Sequence, residues 1–237
     1  MREITDLAKV KEKAILFLHL EPKPVKSIDF LVDYPFLDTM FGYVRATGKM
    51  FNVFSDKEEF AQYKKEMEQF ILSRENVWQI VNMIRKSYRL TFFKYINEYL
   101  SVKDFTETLK EVWVLSEFPS RDVNVTQKEF AAWFKVADKT ILMDEEEYRK
   151  YNSFSDTITI HRGVASDAFK AGLSWSLSQE KAEWFATRFE FEDCQPVVYS
   201  FDINKSDILA YISERGEAEV IIDPSILKNY KVNINYL

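Results

Sequence analysis

The spacing of apolar residues changes along the chain. Across residues 57–100 they recur three and four apart, as Phe60, Tyr63, Met67, Phe70 and Ile71, then Val77, Ile80, Val81 and Ile84. This is the stripe of amphipathic helix. No Gly or Pro falls between Gly48 and Pro119, so nothing in that span breaks a helix outright. Ser55 ahead of Asp56, Glu58 and Glu59 predicts a capped helix start, and residues 144–149 run acid-first and base-last as a second helix would. Pro22, Pro24 and Pro35 predict a separate helix over residues 1–20 joined by an extended segment. The first part of the chain therefore reads as a helical bundle.

The last third has a different period. Ile158 and Ile160 alternate within residues 157–161, Val197, Tyr199, Phe201 and Ile203 alternate further on, and Val232 with Ile234 repeats the pattern near the end. These are strand signatures. Between them Ser178 can cap a helix in which Ala182, Phe185, Ala186 and Phe189 recur at i, i+3, i+4 and i+7. The expected fold class is α+β, with a helical N-terminal domain over residues 1–105 and a strand-rich domain over 106–237.

Composition narrows the function classes. With 237 residues, 46% hydrophobic and 30% charged, the chain is long enough for one large or two small cores. No apolar run approaches the roughly 20 residues that span a bilayer, and residues 14–20, broken by His19, do not read as a secretory signal. No membrane association is expected. A single cysteine, Cys194, excludes an internal disulfide and points to a reducing, cytoplasmic setting. His19 and His161 have no cysteine partners at zinc-ligand spacing, so no metal site is expected. The net charge of −6, with 8 basic against 13 acidic residues after Phe154, argues against a broad grip on nucleic acid. Locally, residues 85–95 interleave Arg85, Lys86 and Arg89 with Tyr88, Phe92, Phe93 and Tyr95. That stretch reads either as a single-strand-binding track or as a bundle helix with its rings inward.

Three of the five glycines, Gly163, Gly172 and Gly216, fall in the strand-rich third, each beside an unusual cluster. His161-Arg162-Gly163 ends a strand, where a guanidinium can meet a phosphate and where a solvated arginine is also ordinary. Ser174-Trp175-Ser176 places two hydroxyls on one strand face with the indole on the other, although Ser176 or Ser178 also suits a helix cap. In Glu217-Ala218-Glu219, period two sets both carboxylates on one face. Such a pair repels and tends to raise one pKa, unless it merely protects an edge strand.

In this order the three clusters resemble the R-S-E class of mono-ADP-ribosyltransferases, whose pattern is a strand-end arginine, a Ser-X-Ser strand followed by a helix with an Ala and a Phe, and a Glu-X-Glu strand. The resemblance covers about a third of the chain, from Thr157 to Val232, and residues 207–212 and 216–224 also look like the segments around that family's catalytic glutamate. His161 stands where an aromatic is common, and Trp175 where threonine is usual. The whole chain is also similar to phage-encoded proteins. The resemblance implies a transferase-like split β-sheet domain over residues 106–237 and NAD as substrate, bound without the Gly-X-Gly-X-X-Gly run, which is absent here.

By the same resemblance, Glu219 stabilises the oxocarbenium-like state formed as nicotinamide leaves. Glu217 orients or deprotonates the attacking group, Arg162 binds a phosphate of NAD, and Ser174 positions Glu219 and the ribose. Gly163, Ser176 and Phe185 complete the expected NAD-binding set, with Trp184 an alternative to Phe185 beside nicotinamide. The acceptor implied is a macromolecule, protein arginine ahead of a nucleic-acid base. Two other readings stand beside transfer: hydrolysis of NAD by water at the same site, and a non-catalytic interaction protein on a transferase-like fold.

Overall fold

The computed structural model describes residues 2–116, 122–166, 171–188, 195–214 and 216–237. Phe189, Cys194 and Arg215, singled out by sequence, lie outside the described residues. The chain divides into two compact units, Met1–Glu117 and Phe118–Leu237. Both helices and antiparallel sheets are present, so the chain is α+β. Among the described residues, no helix is long and apolar enough to cross a membrane.

In the first unit, α1 (Leu7–Leu18) starts at Asp6, whose side chain accepts the Lys9 N–H, and buries Val10, Ala14, Phe17 and Leu18. That spacing follows the helical repeat and turns one face to α2 (Lys57–Leu72) and α4 (Lys86–Ile96). The apolar stripe of residues 57–100 is cut into α2, the short α3 (Val77–Val81) and α4, because Asn76 caps α3 and residues 82–85 turn the chain. The helix starts at Lys57 with Asp56 at its N-cap, while Ser55 donates to the Asp56 carboxylate instead of capping. The last helix of the unit, α5 (Val102–Val114), runs through residue 105 and belongs whole to it.

The unit is not purely helical. Residues 23–52 form β1 (Lys23–Pro24), β2 (Leu31–Tyr34) and β3 (Leu37–Thr39) in one antiparallel sheet, and β4 (Phe41–Val44) with β5 (Lys49–Asn52) as a hairpin. This corrects the helical-bundle expectation. Val32 and Tyr34 in β2, then Gly42 and Val44 in β4, are buried in alternation, so these short strands follow the period-two rule over too few residues to stand out in sequence. Most of the basic and aromatic residues in 85–95 are spent inside the unit, with Lys86 and Tyr95 exposed. Arg85 pairs with Asp38 and donates to the Val32 carbonyl, Arg89 donates to the Ile84 carbonyl, and Phe92 and Phe93 are buried. The packed-helix reading holds for Phe92 and Phe93, whereas Tyr95 is exposed and both arginines are bonded within the unit instead of solvated.

In the second unit, α6 (Gln127–Val136) and α8 (Glu145–Asn152) each begin with a reciprocal capping box, Thr126 with Glu129 and Asp144 with Glu147, and α7 (Lys139–Leu142) lies between them. The sheet comprises β6 (Thr157–Val164), β7 (Ser174–Ser176), β8 (Val197–Asn204), β9 (Ile208–Ile212), β10 (Glu219–Ile222) and β11 (Asn233–Tyr236), in the order β11-β8-β6-β7-β10-β9. Every neighbouring pair is antiparallel. One face carries the core: Ile160, Trp175, Tyr199, Phe201, Tyr211 and Val220, with Met143, Tyr148 and Tyr151 from the helical segment packed on it.

The other face receives α9 (Gln179–Thr187), whose Ala182 and Ala186 cluster with Val198. The approach is close at Gly163, where an added Cβ would lie 1.6 Å from the Ala182 carbonyl oxygen. Gly163→Ala is therefore expected to force α9 off the sheet and cost about 3 kcal/mol. Chemical denaturation measures this, and an unchanged midpoint would refute the packing.

Candidate functional site

The site is built around the short strand β7. Trp175 turns into the core, where its ring meets Phe201 edge-on at 4.8 Å and its Nε1 donates to the Gly172 carbonyl at 3.0 Å. With the indole fixed on one face, the pleat puts Ser174 and Ser176 on the other. The flanking strands are β6 and β10, so the segments carrying Arg162, Ser174-Ser176 and Glu219 are consecutive neighbours. Ser176 stands opposite His161 on one side and Glu219 on the other. Directly opposed residues share a face, with Cβ atoms about 5 Å apart. His161, Ser176 and Glu219 thus form a row across three strands.

Within that row Ser176 is 5% exposed and Glu219 4%. The Ser176 hydroxyl donates to the Glu217 carbonyl at 2.8 Å and accepts the Ser178 N–H at 3.0 Å. It therefore ties the turn before β10 to the turn before α9. The cap itself is Ser178, whose side chain accepts the Lys181 N–H. Ser174, half-buried, lies opposite Ile221 on the same face.

Glu217 does not stand beside Glu219 on a strand. The strand starts at Glu219, and Ala218 has φ +47°, a left-handed conformation unusual for a residue with a Cβ. Gly216, at φ +64°, begins the same turn. The expected pair of carboxylates on one strand face is corrected: Glu219 is buried in the sheet and Glu217 is half-buried in the turn, separated by the Ala218 kink. Period two fails there because a left-handed residue ends the pleat. Upstream, the buried Glu147 carboxylate accepts the Ser213 N–H at 2.6 Å and fixes where the β9–β10 turn departs.

Arg162 is opposite Tyr199, so the pleat directs it to the face of Trp175 and away from Glu219. Its Nη1 donates to the Ser174 carbonyl at 2.6 Å, and its guanidinium lies against Gly172, where a Cβ would come within 2.4 Å of Cζ. Gly163 is under α9. Phe185 is half-buried on α9 and meets the exposed Trp184 edge-on at 5.0 Å, with the Arg188 guanidinium over the Trp184 ring. The structure thus brings Ser174, Ser176 and Glu219 to one face, sets Glu217 at its rim, and sends Arg162 to the other.

Sequence marks His161 only as standing where an aromatic is common and gives it no role in the site. It is half-buried, and burial pushes its imidazole pKa down, opposed by the Glu183 carboxylate of α9. The ring is thus neutral at pH 7. Its presence beside Ser176 follows from strand parity, but only once the β6–β7 register is known. The chain matches no family model, no curated protein and no solved structure.

Two stability outcomes follow from this geometry. Ser176→Ala removes both bonds that join the two turns and is expected to destabilise the protein by about 2 kcal/mol. Ala218→Gly, which relieves the left-handed residue against a modest gain in unfolded-state entropy, is expected to stabilise by about 0.5 kcal/mol. Equilibrium denaturation of both variants checks the two signs.

Proposed function

We propose that the protein is an NAD-dependent mono-ADP-ribosyltransferase of the R-S-E class, with a transferase-like second unit and protein arginine as acceptor. The observation that carries this reading is the strand order. The motif-bearing segments are far apart in sequence yet are neighbours as β6, β7 and β10, with Glu219 directly opposite Ser176. Supporting it, Glu219 is a carboxylate held in a nearly water-free position at a strand end, where its field is little screened.

In the proposed reaction the bond between C1′ of the ribose and the nicotinamide nitrogen breaks, and nicotinamide leaves with the bonding electrons. The positive charge left on C1′ and the ring oxygen is stabilised by Glu219, hydrogen-bonded to the ribose hydroxyls. The acceptor nitrogen then attacks C1′ and gives up a proton to the carboxylate of Glu217, which stands in the turn at the rim. Ser174 contributes a hydroxyl to the sugar side of the site, and Phe185 an aromatic edge. Arg162, to which the resemblance gives an NAD phosphate, lies on the opposite face of the sheet, where its bond to the Ser174 carbonyl holds β7 against β6.

The test uses the purified chain and its Glu219→Gln variant, incubated with adenylate-labelled NAD and a cell lysate. Nicotinamide release and protease-sensitive label are expected from the wild type, with a loss of about 100-fold or more in the variant. Label removed by nuclease instead would move the acceptor to a nucleic-acid base. Equal, background-level release by both proteins would remove the enzyme reading.

A further inference from the structure

The side chain of β6 that shares a face with Ser176 and Glu219 is His161, whereas Arg162 points to the opposite face. We propose that His161 is a further substrate-binding residue of this site, one that takes a sugar hydroxyl of the substrate through its imidazole. The inference rests on the transferase reading and assigns β6 a second contact that its arginine cannot make from across the pleat.

Three observations converge on it. Position comes first: His161 and Glu219 flank Ser176, so they are two strand spacings, about 10 Å, apart at the backbone. The second is an open valence. Nδ1 of His161 is buried and has no hydrogen-bond partner among the described residues, and a buried polar atom left so calls for a ligand or an ordered water. The third is chemical complementarity. A neutral imidazole offers one donor and one acceptor. That pair suits a sugar hydroxyl, which both donates and accepts.

Packing alone gives a weaker account of this residue. The neighbouring row on the same face, Gly163 with Val198, is apolar and covered by Ala182 and Ala186 of α9. An apolar side chain at position 161 would continue that cover without leaving a ring nitrogen unbonded.

The experiment measures nicotinamide release against NAD concentration, and the NAD-induced shift in melting temperature, for the full chain and for His161→Phe and His161→Asn. Phe keeps a flat ring without nitrogens, and Asn keeps a polar group near Nδ1. The Phe variant is expected to raise KM for NAD about tenfold with kcat within about threefold, the pattern of a lost binding contact, and Asn to retain KM within about threefold. The NAD-induced melting shift is expected to shrink in Phe and persist in Asn. A Phe variant with wild-type KM and melting shift overturns the proposal and leaves the transferase reading intact. Should Phe fail to fold, His161→Ala is read by the same criteria. A wild type that neither releases nicotinamide nor responds to NAD overturns both readings together, so the wild-type control tells the two failures apart.

Discussion

The pairing of Ser176 with His161 on one side and Glu219 on the other is the constraint on which the site depends. β7 has only three residues, too few for ladder hydrogen bonds alone to fix its register. Three outside contacts fix it instead. Trp175 is driven into the core against Phe201, Arg162 holds the Ser174 carbonyl from β6, and the Ser176 hydroxyl holds the Glu217 carbonyl beyond β10. A slip of one residue would bring the indole onto the polar face and a serine into the core. Losing burial of a tryptophan outweighs anything the slipped ladder could recover. The apolar face of the sheet thus sets the geometry of the polar one.

The same constraint separates the two glutamates. Glu219 is the first residue of β10 and is held where the sheet excludes water. Glu217, two positions earlier, lies beyond a left-handed alanine, with its carbonyl rather than its carboxylate engaged by Ser176. One carboxylate thus occupies a fixed, low-dielectric position suited to stabilising a developing cation. The other sits on a turn whose departure point is pinned by Glu147. A turn held at both ends, with two positive-φ residues, keeps that second group apart from the buried carboxylate.

Where local pattern and final structure share the same period, the sequence is informative. The stripe of Val198-side alanines at Ala182 and Ala186 places α9, and the alternation of Tyr199, Phe201 and Ile203 places β8. Three features escape that logic. The strands of residues 23–52 are two to four residues long, shorter than the window in which a period of two can be told from chance. The helix start at Lys57 depends on which of two adjacent polar residues adopts the cap conformation, and the asparagine N–H held by Asp56 decides it. The kink at Ala218 is carried by a residue type that gives no warning of positive φ; the Ser176 and Leu177 contacts to Glu217 and Ala218, made across the sheet, hold it. Each of these is a tertiary effect acting on a locally permissive sequence. The row of His161, Ser176 and Glu219 is hidden for a related reason, since parity within a strand is legible but register between strands is not.

That row also distinguishes this sheet from one kept only for packing. An antiparallel sheet covered by a helix gains most by presenting aliphatic side chains to it, as the Gly163–Val198 row does beneath α9. One row further on, the chain instead places an imidazole with an unbonded nitrogen, a hydroxyl and a buried carboxylate side by side across β6, β7 and β10. Each of these costs desolvation that a valine would not. Folded proteins tolerate such departures from local consistency mainly where a ligand or a reaction repays them. The Ser176 hydroxyl in this row is already bonded on both sides, so the buried Nδ1 of His161 is the group that a ligand would satisfy.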